Sequence, residues 1–153
     1  MAGPTDAVEY EQMLLWRHGL AYYRGGHRKN KNALLERSAY VLLSRIRAQG
    51  PMSNGELSDA FGLDASTLNR QTAAAMRAGL AERIADPEGG TARKFRITDK
   101  GARLLDQERE RVVRALDRVM RDWADEDVAA FATHLKRFNS GIEHLTAHPW
   151  PRP

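Results

Sequence analysis

Between Ser53 and Gly79 the chain encodes two helix starts with a forced stop between them, so close together that few folds can hold them. Ser53-Asn54-Gly55-Glu56 is a capping box, in which the Ser53 hydroxyl accepts from the Glu56 amide while the Glu56 carboxylate reaches back. The helix it opens runs through Leu57 to Phe61 and stops at Gly62, a residue free to take the left-handed backbone of a helix end. Asp64 then caps a second helix, with Leu68, Thr72, Ala75 and Met76 on its inner face and an end near Gly79. The small Ser58 permits the two helices to approach closely. Two short helices joined through a glycine turn form a helix-turn-helix.

The next twenty residues are equally constrained. Leu80–Ala85 alternates like a strand, Asp86-Pro87-Glu88-Gly89-Gly90 is a turn, and Arg93–Thr98 alternates again with Phe95 and Ile97 inward. A helix-turn-helix followed by a β-hairpin is a winged helix. Upstream, Val8–Arg24 reads as one helix, broken at Gly25-Gly26, and Ala33–Gln49 as a second. Between them His27–Lys31 (HRKNK) is a basic loop or ragged helix start, able to face phosphate or solvent. Downstream, Asp99–Trp123 spaces Leu105, Val112 and Val119 seven apart, and Asp125-Glu126-Asp127 caps and charges a last helix. That helix carries Val128, Phe131, Leu135, Phe138, Ile142 and Leu145 at three-and-four spacing.

The expected fold is mainly α with a small β-hairpin wing, in the order α-α-α-α-β-β-α-α. Residues 1–32 would belong to a dimerisation stem, 33–101 to the winged lobe and 102–146 to the stem's C-terminal helices, with 147–153 an irregular tail. The long apolar stripes outside the lobe suit self-association through Val8, Leu14, Val119, Phe131, Leu135, Phe138 and Ile142.

Composition narrows the function. The 153 residues include no cysteine, which removes disulfides, thiolate metal sites and cysteine nucleophiles together. His144 and His148 are four apart, but no third ligand completes a metal site, and neither metal nor cofactor is expected. No nucleophile–base pair, paired acids or phosphate-cradling glycine loop stands out, so an enzyme is not expected. There is no membrane-length apolar run and the first residues are acidic, so the expected location is the cytoplasm. Charge is uneven. Arg17–Arg47 carries eight cations against one acid, and Asp64–Arg103 eight against five, while the first sixteen residues hold three acids and no cation. Such a distribution suits a polyanionic partner along the middle of the chain.

The segments GPMSNGELSDAFGLDASTLNRQTAAAMRAGLAER and DPEGGTARKFRITDKG resemble the MarR (multiple antibiotic resistance regulator) family of bacterial transcription factors. The resemblance runs from about the second helix onward, and the flanking helices fit the family's order. It implies a homodimer whose two winged lobes bind a pseudo-palindromic duplex, the second helix of each helix-turn-helix in the major groove and each wing at the minor groove. Ser66, Thr67, Asn69, Arg70 and Gln71 stand where family members place DNA contacts, with Ser53 at the preceding helix start. Arg70 suits guanine O6 and N7, Asn69 and Gln71 adenine or phosphate, and Ser66 and Thr67 phosphate oxygens. Members commonly carry an Asp and an Arg at the wing tip. Aligned on Asp86 and Thr98, those positions are Gly89 and Thr91 here, so the minor-groove role passes to Arg93 or Lys94. The family's inward leucine of the recognition helix is displaced too, Met76 being its substitute.

Such proteins often take aromatic or phenolic effectors in a cleft between stem and lobe, and Trp16, His18, Tyr22 and Tyr23 are the aromatics placed to line one. The sequence thus reads as a double-stranded-DNA-binding regulator, a homodimeric repressor relieved by a small aromatic or anionic ligand. The competing reading is a winged-helix protein-interaction module without DNA binding. Only the first requires counterion release, so salt dependence separates them.

Overall fold

The computed structural model describes residues 3–24 and 35–152, with the backbone alone for 19–24. The chain divides into two compact units, Met1–Arg37 and Ser38–Pro153. The first holds α1 (Pro4–Arg24), which starts four residues earlier than the apolar pattern suggests. Proline is preorganised for a first helical position, and Asp6 supplies the acid that a first turn favours. The HRKNK segment lies outside the described residues.

From the end of the first unit the order is α2 (Arg37–Gln49), α3 (Asn54–Phe61), α4 (Ala65–Arg77), β1 (Ala81–Ile84), β2 (Lys94–Ile97), α5 (Asp99–Val119) and α6 (Asp125–Thr146). Local chemistry accounts for most boundaries. Ser53 Oγ accepts from the Glu56 amide at 3.1 Å, and Asp64 Oδ1 from the Thr67 amide at 2.7 Å. Gly62 closes α3 in the left-handed region at φ +61°. Thr98 Oγ1 accepts from the Gly101 amide to open α5. Three boundaries depart from the pattern. The second helix begins at Arg37, because Leu35 and Glu36 are not helical. The fifth ends at Val119, and Trp123 turns edge-on to Phe131 at 5.6 Å instead of extending the heptad stripe. The sixth starts from Ala124 with no side-chain cap, so the three acids after it serve its first turn and not its cap.

The hairpin pairs Ala81 with Ile97, Glu82 with Arg96, Arg83 with Phe95 and Ile84 with Lys94, antiparallel. Met52 bridges Phe95 from the other edge, the two exchanging hydrogen bonds of 3.2 and 2.7 Å. The hairpin is thereby tied to the entrance of α3. Leu42, Leu43 and Ile46 of α2, Leu57 of α3, Leu68 and Ala75 of α4, Leu80, Phe95 and Leu105 are buried together with Met52. Each large side chain here contributes roughly 1.5–3 kcal/mol by leaving water. Met76 is half-buried, so it is not the core residue of α4, and Leu80, just beyond the helix, is buried instead. Gly101 is required where it stands, since a Cβ there would meet the Leu80 carbonyl oxygen at 2.1 Å.

Beyond α6, Ala147 takes a left-handed turn (φ 56°) and residues 148–152 fold back onto the helix-turn-helix. Trp150 lies 5.5 Å from the Phe61 ring, with the Arg45 guanidinium 4.9 Å from the indole centroid. Arg45 Nη1 donates to the Pro149 carbonyl at 3.0 Å, and Arg152 pairs with Glu143. The tail that sequence reads as irregular has no regular secondary structure, yet it is packed. Burial pushes the Arg45 guanidinium below its ordinary pKa, and Glu143 opposes that shift. The Arg152 hydrogen bond, first among the causes, holds Glu143 below the usual carboxylate range.

Candidate nucleic-acid interface

Helix α4 buries Leu68, Thr72 and Ala75, so 3.6-residue periodicity turns Ser66, Asn69, Arg70, Ala74 and Arg77 to solvent, with Thr67 and Gln71 at the flanks. Of these, Ser66, Thr67, Asn69, Arg70 and Gln71 are the residues expected to meet DNA, while Ala74 and Arg77 share the exposed face. Arg70 is exposed, with Nη2 donating to Thr67 Oγ1 at 3.2 Å. Asn69 Oδ1 accepts from Asn54 Nδ2 at 2.5 Å. Ser66 Oγ donates to Asp64 Oδ1 at 2.8 Å. Gln71 is half-buried, and its side chain makes no hydrogen bond among the described residues.

The start of α4 differs from an open phosphate cradle. The Thr67 amide, which a phosphate would use, is already held by Asp64. Hydrogen bonds from the Thr67 side chain, then its amide, then the Ser66 hydroxyl bring Asp64 down from 3.8 to about 2. The anion at this helix end is therefore part of the protein. Ser53 is likewise committed, its hydroxyl acting as the α3 cap.

The wing separates its two candidate cations. Lys94 lies 3.1 Å from Glu56 and 3.7 Å from Asp86, its side chain largely covered. The Glu56 hydrogen bond, first among the causes, raises its pKa. Glu56 therefore reaches the wing and not back to the start of its own helix. Arg93 is exposed and makes no hydrogen bond or ion pair among the described residues. Arg96 is paired with Glu82 directly across the hairpin. At the tip, Gly89 turns at φ +84° with its amide on the Asp86 carbonyl, and Thr91 is exposed.

In the first unit, Trp16 is 70% exposed and His18 is exposed, while the side chains of Tyr22 and Tyr23 lie outside the described residues. An open hollow of about 300 Å³ lies between α2, α3 and the tail, lined by Arg45, Gln49, Glu56, Asp59 and His148 among others. Val8, Val119, Phe131, Leu135, Phe138 and Ile142 are all exposed in the single chain, and Leu14 is half-exposed.

Comparison with known proteins fits this lobe. The sequence model of the MarR family matches residues 35–89, from the approach to α2 through the wing turn. An uncharacterized HTH-type transcriptional regulator of Bacillus subtilis, YxaD, is 32% identical over 139 residues, 91% of this chain and 95% of that one. The chain belongs to the MarR family. Among solved structures, a MarR family protein from Bacillus stearothermophilus superposes with a TM-score of 0.73 at 23% identity, over 92% of this chain and 99% of that one. The PcaV transcriptional regulator from Streptomyces coelicolor, solved in complex with its natural ligand, gives 0.67 at 19% identity over 94% and 99%. These show the winged-helix fold with its small two-stranded sheet. As a MarR-family member the protein is a DNA-binding transcription regulator, and the reading as an interaction module without DNA binding is not favoured.

Sequence reasoning missed Asn54, Asp86 and the tail. Asn54 sits inside the capping box, where its type carries no functional signal, and its contact lies fifteen positions away. In this MarR-family wing, the spacing of Glu56 and Lys94 offers no cue that they meet across the sheet edge.

Proposed function

We propose that the protein is a homodimeric repressor that reads an inverted-repeat duplex through α4 and is released by a small aromatic or anionic ligand. The observation that carries the reading is the outward face of α4, where Arg70 and Asn69 are exposed beside a wing whose Arg93 has no ion-pair partner among the described residues. Arg70 is suited to the major-groove edge of guanine, and Ser66, Thr67 and Gln71 to its rim. Arg93 takes the minor-groove role, since Lys94 is held by Glu56 and Asp86. Ser53 contributes by capping α3. The exposed apolar residues of α1, α5 and α6 form the faces that a second copy would cover. The domain division expected from sequence is retained as part of this reading. Among the described residues no helix is long and apolar enough to cross a membrane, and a cytoplasmic location is proposed with the function.

Selection of bound sequences from a random duplex pool tests the DNA half. An inverted repeat should emerge, and its affinity should fall steeply with salt as counterions are released. Binding insensitive to salt would sink it. The ligand half is supported by the exposed Trp16 and His18 and by the ligand-bound state of the similar PcaV. An aromatic carboxylate should quench the emission of the wild type but not of Trp16→Phe, and weaken operator binding together. Tenfold relief needs about 1.4 kcal/mol of coupling. Quenching without any change in DNA affinity would make the pocket real and the switch wrong.

A further inference from the structure

The wing is fastened to the helix-turn-helix by a side chain as well as by backbone. Lys94 opens β2, and its Nζ lies 3.1 Å from a carboxylate oxygen of Glu56 on α3 and 3.7 Å from one of Asp86 in the hairpin turn. The Lys94 and Asp86 side chains are only 14% and 12% exposed, so the junction is largely covered. Asp86 also shapes the turn, its Oδ1 accepting from the Glu88 amide at 2.9 Å and its carbonyl from the Gly89 amide at 3.0 Å. One residue along, the Met52–Phe95 bridge holds the backbone of the same strand. Turn, strand and α3 thus converge on one ammonium group.

Two carboxylates around one ammonium sum to a single negative charge, so this junction repels a phosphate. Arg96, two residues on, is paired with Glu82. Arg93, directly before Lys94, is exposed and makes no hydrogen bond or ion pair among the described residues. A part-exposed ion pair contributes little to the stability of a fold. It can still decide where the end of a strand stands, and an ordering cost met in the free protein is not met again on binding.

We propose that Lys94 and Glu56 are positioning residues for the wing. By tying the first residue of β2 to α3, they set where Arg93 stands relative to α4, and Lys94 itself makes no contact with DNA. The inference rests on the reading of Arg93 as the wing's contact with the duplex, and the test separates the two.

Binding to the duplex selected from the random pool is measured at about 0.15 M salt, where exposed charges more than about 8 Å apart are largely screened. Arg93→Met should weaken it and lower the salt slope by about 0.9, the loss of one phosphate contact. Lys94→Met keeps the aliphatic stem and removes the charge. Glu56→Gln keeps the shape and remains a residue type suited to its place in the capping box. These two substitutions change net charge in opposite directions, so a field effect alone would move affinity in opposite directions. Both should weaken binding, by roughly threefold to tenfold, because an untied wing must be ordered on the duplex. In an Arg93→Met background neither should add a further loss beyond about twofold, since each acts through Arg93. If Lys94→Met costs the same in both backgrounds and Glu56→Gln tightens binding, Lys94 is itself a phosphate contact and the proposal falls. If Arg93→Met weakens binding while Lys94→Met and Glu56→Gln melt lower but bind as wild type, the junction is merely structural and the proposal falls alone. If Arg93→Met changes neither affinity nor slope, the proposal falls together with the reading of Arg93.

Discussion

Arg70 projects from the exposed face of α4 with one nitrogen on Thr67, and its remaining N–H donors face solvent. If it reads a base, Arg70→Ala should cost about 1–3 kcal/mol on the selected sequence and relax the choice at one position per half-site. Equal loss on selected and scrambled duplex would make it a phosphate contact, and no loss would remove it from the interface. Asp64 supports the same helix in a way that pH can isolate. Its carboxyl is depressed from 3.8 to about 2 by the Thr67 and Ser66 hydrogen bonds. A group whose pKa falls on folding contributes stability above its unfolded value and loses it as pH drops through the folded one. The Asp64 share is therefore intact near neutrality and drains between about pH 4 and pH 2. Asp64→Asn keeps an acceptor but cannot titrate, so its melting temperature should fall less steeply across that window. Parallel curves for the two proteins would assign the acid limb to other carboxylates.

At the scale of elements, two tertiary contacts hold the lobe in ways that local pattern cannot show. Gly101 lets α5 start against the Leu80 carbonyl, and Gly101→Ala should destabilise by roughly 1–3 kcal/mol, since the helix must shift to admit the methyl. The tail is the second. Trp150 joins Phe61 to Arg45, so Trp150→Ala and Arg45→Ala should each lower stability, with a coupling between them of about 0.5 kcal/mol or more in a double-mutant cycle. Strict additivity would mean that the tail lies on the lobe without supporting it. Contacts of this kind also mark where the sequence stops being readable. Caps at Ser53 and Asp64, the stop at Gly62 and the alternation around Phe95 act within a few residues, so spacing alone reveals them. Arg45 and Pro149 meet across 104 positions, and HPWPRP has no period to betray the contact. In sequence Lys94 is as available as Arg93, because both are basic and adjacent. Strand alternation and the carboxylates of Glu56 and Asp86 separate them only once the hairpin is docked. Beyond Ala124 stand two residues of a capping type, Asp125 and Asp127, and the helix enters before both of them.

The whole molecule poses the question of what covers α6. Among the described residues the helix buries none of its own, and Phe131, Leu135, Phe138 and Ile142 are 38–43% exposed at three-and-four spacing. A stripe of this length costs solubility in a free monomer and fits the apolar core of a dimer interface, which in stable cases buries about 1,200–2,000 Å². The protein should sediment as a dimer at micromolar concentration. Leu135→Asp places a charge in the middle of the stripe, where burial against a partner would leave it unpaired. Because Leu135 is already part-exposed in the single chain, the variant should keep its helical content while sedimenting as a monomer. A wild-type monomer at that concentration would sink the dimer reading, and a dimeric Leu135→Asp would move the interface elsewhere. Dimer symmetry then reaches the DNA. Two copies of α4 entering successive major grooves on one face of the duplex must lie about 34–36 Å apart, so the selected half-sites should be centred one helical turn from each other. Inserting five base pairs between them turns one half-site to the far side and should abolish tight binding by the dimer. The Leu135→Asp monomer, which holds only one half-site at a time, should bind both spacings equally weakly.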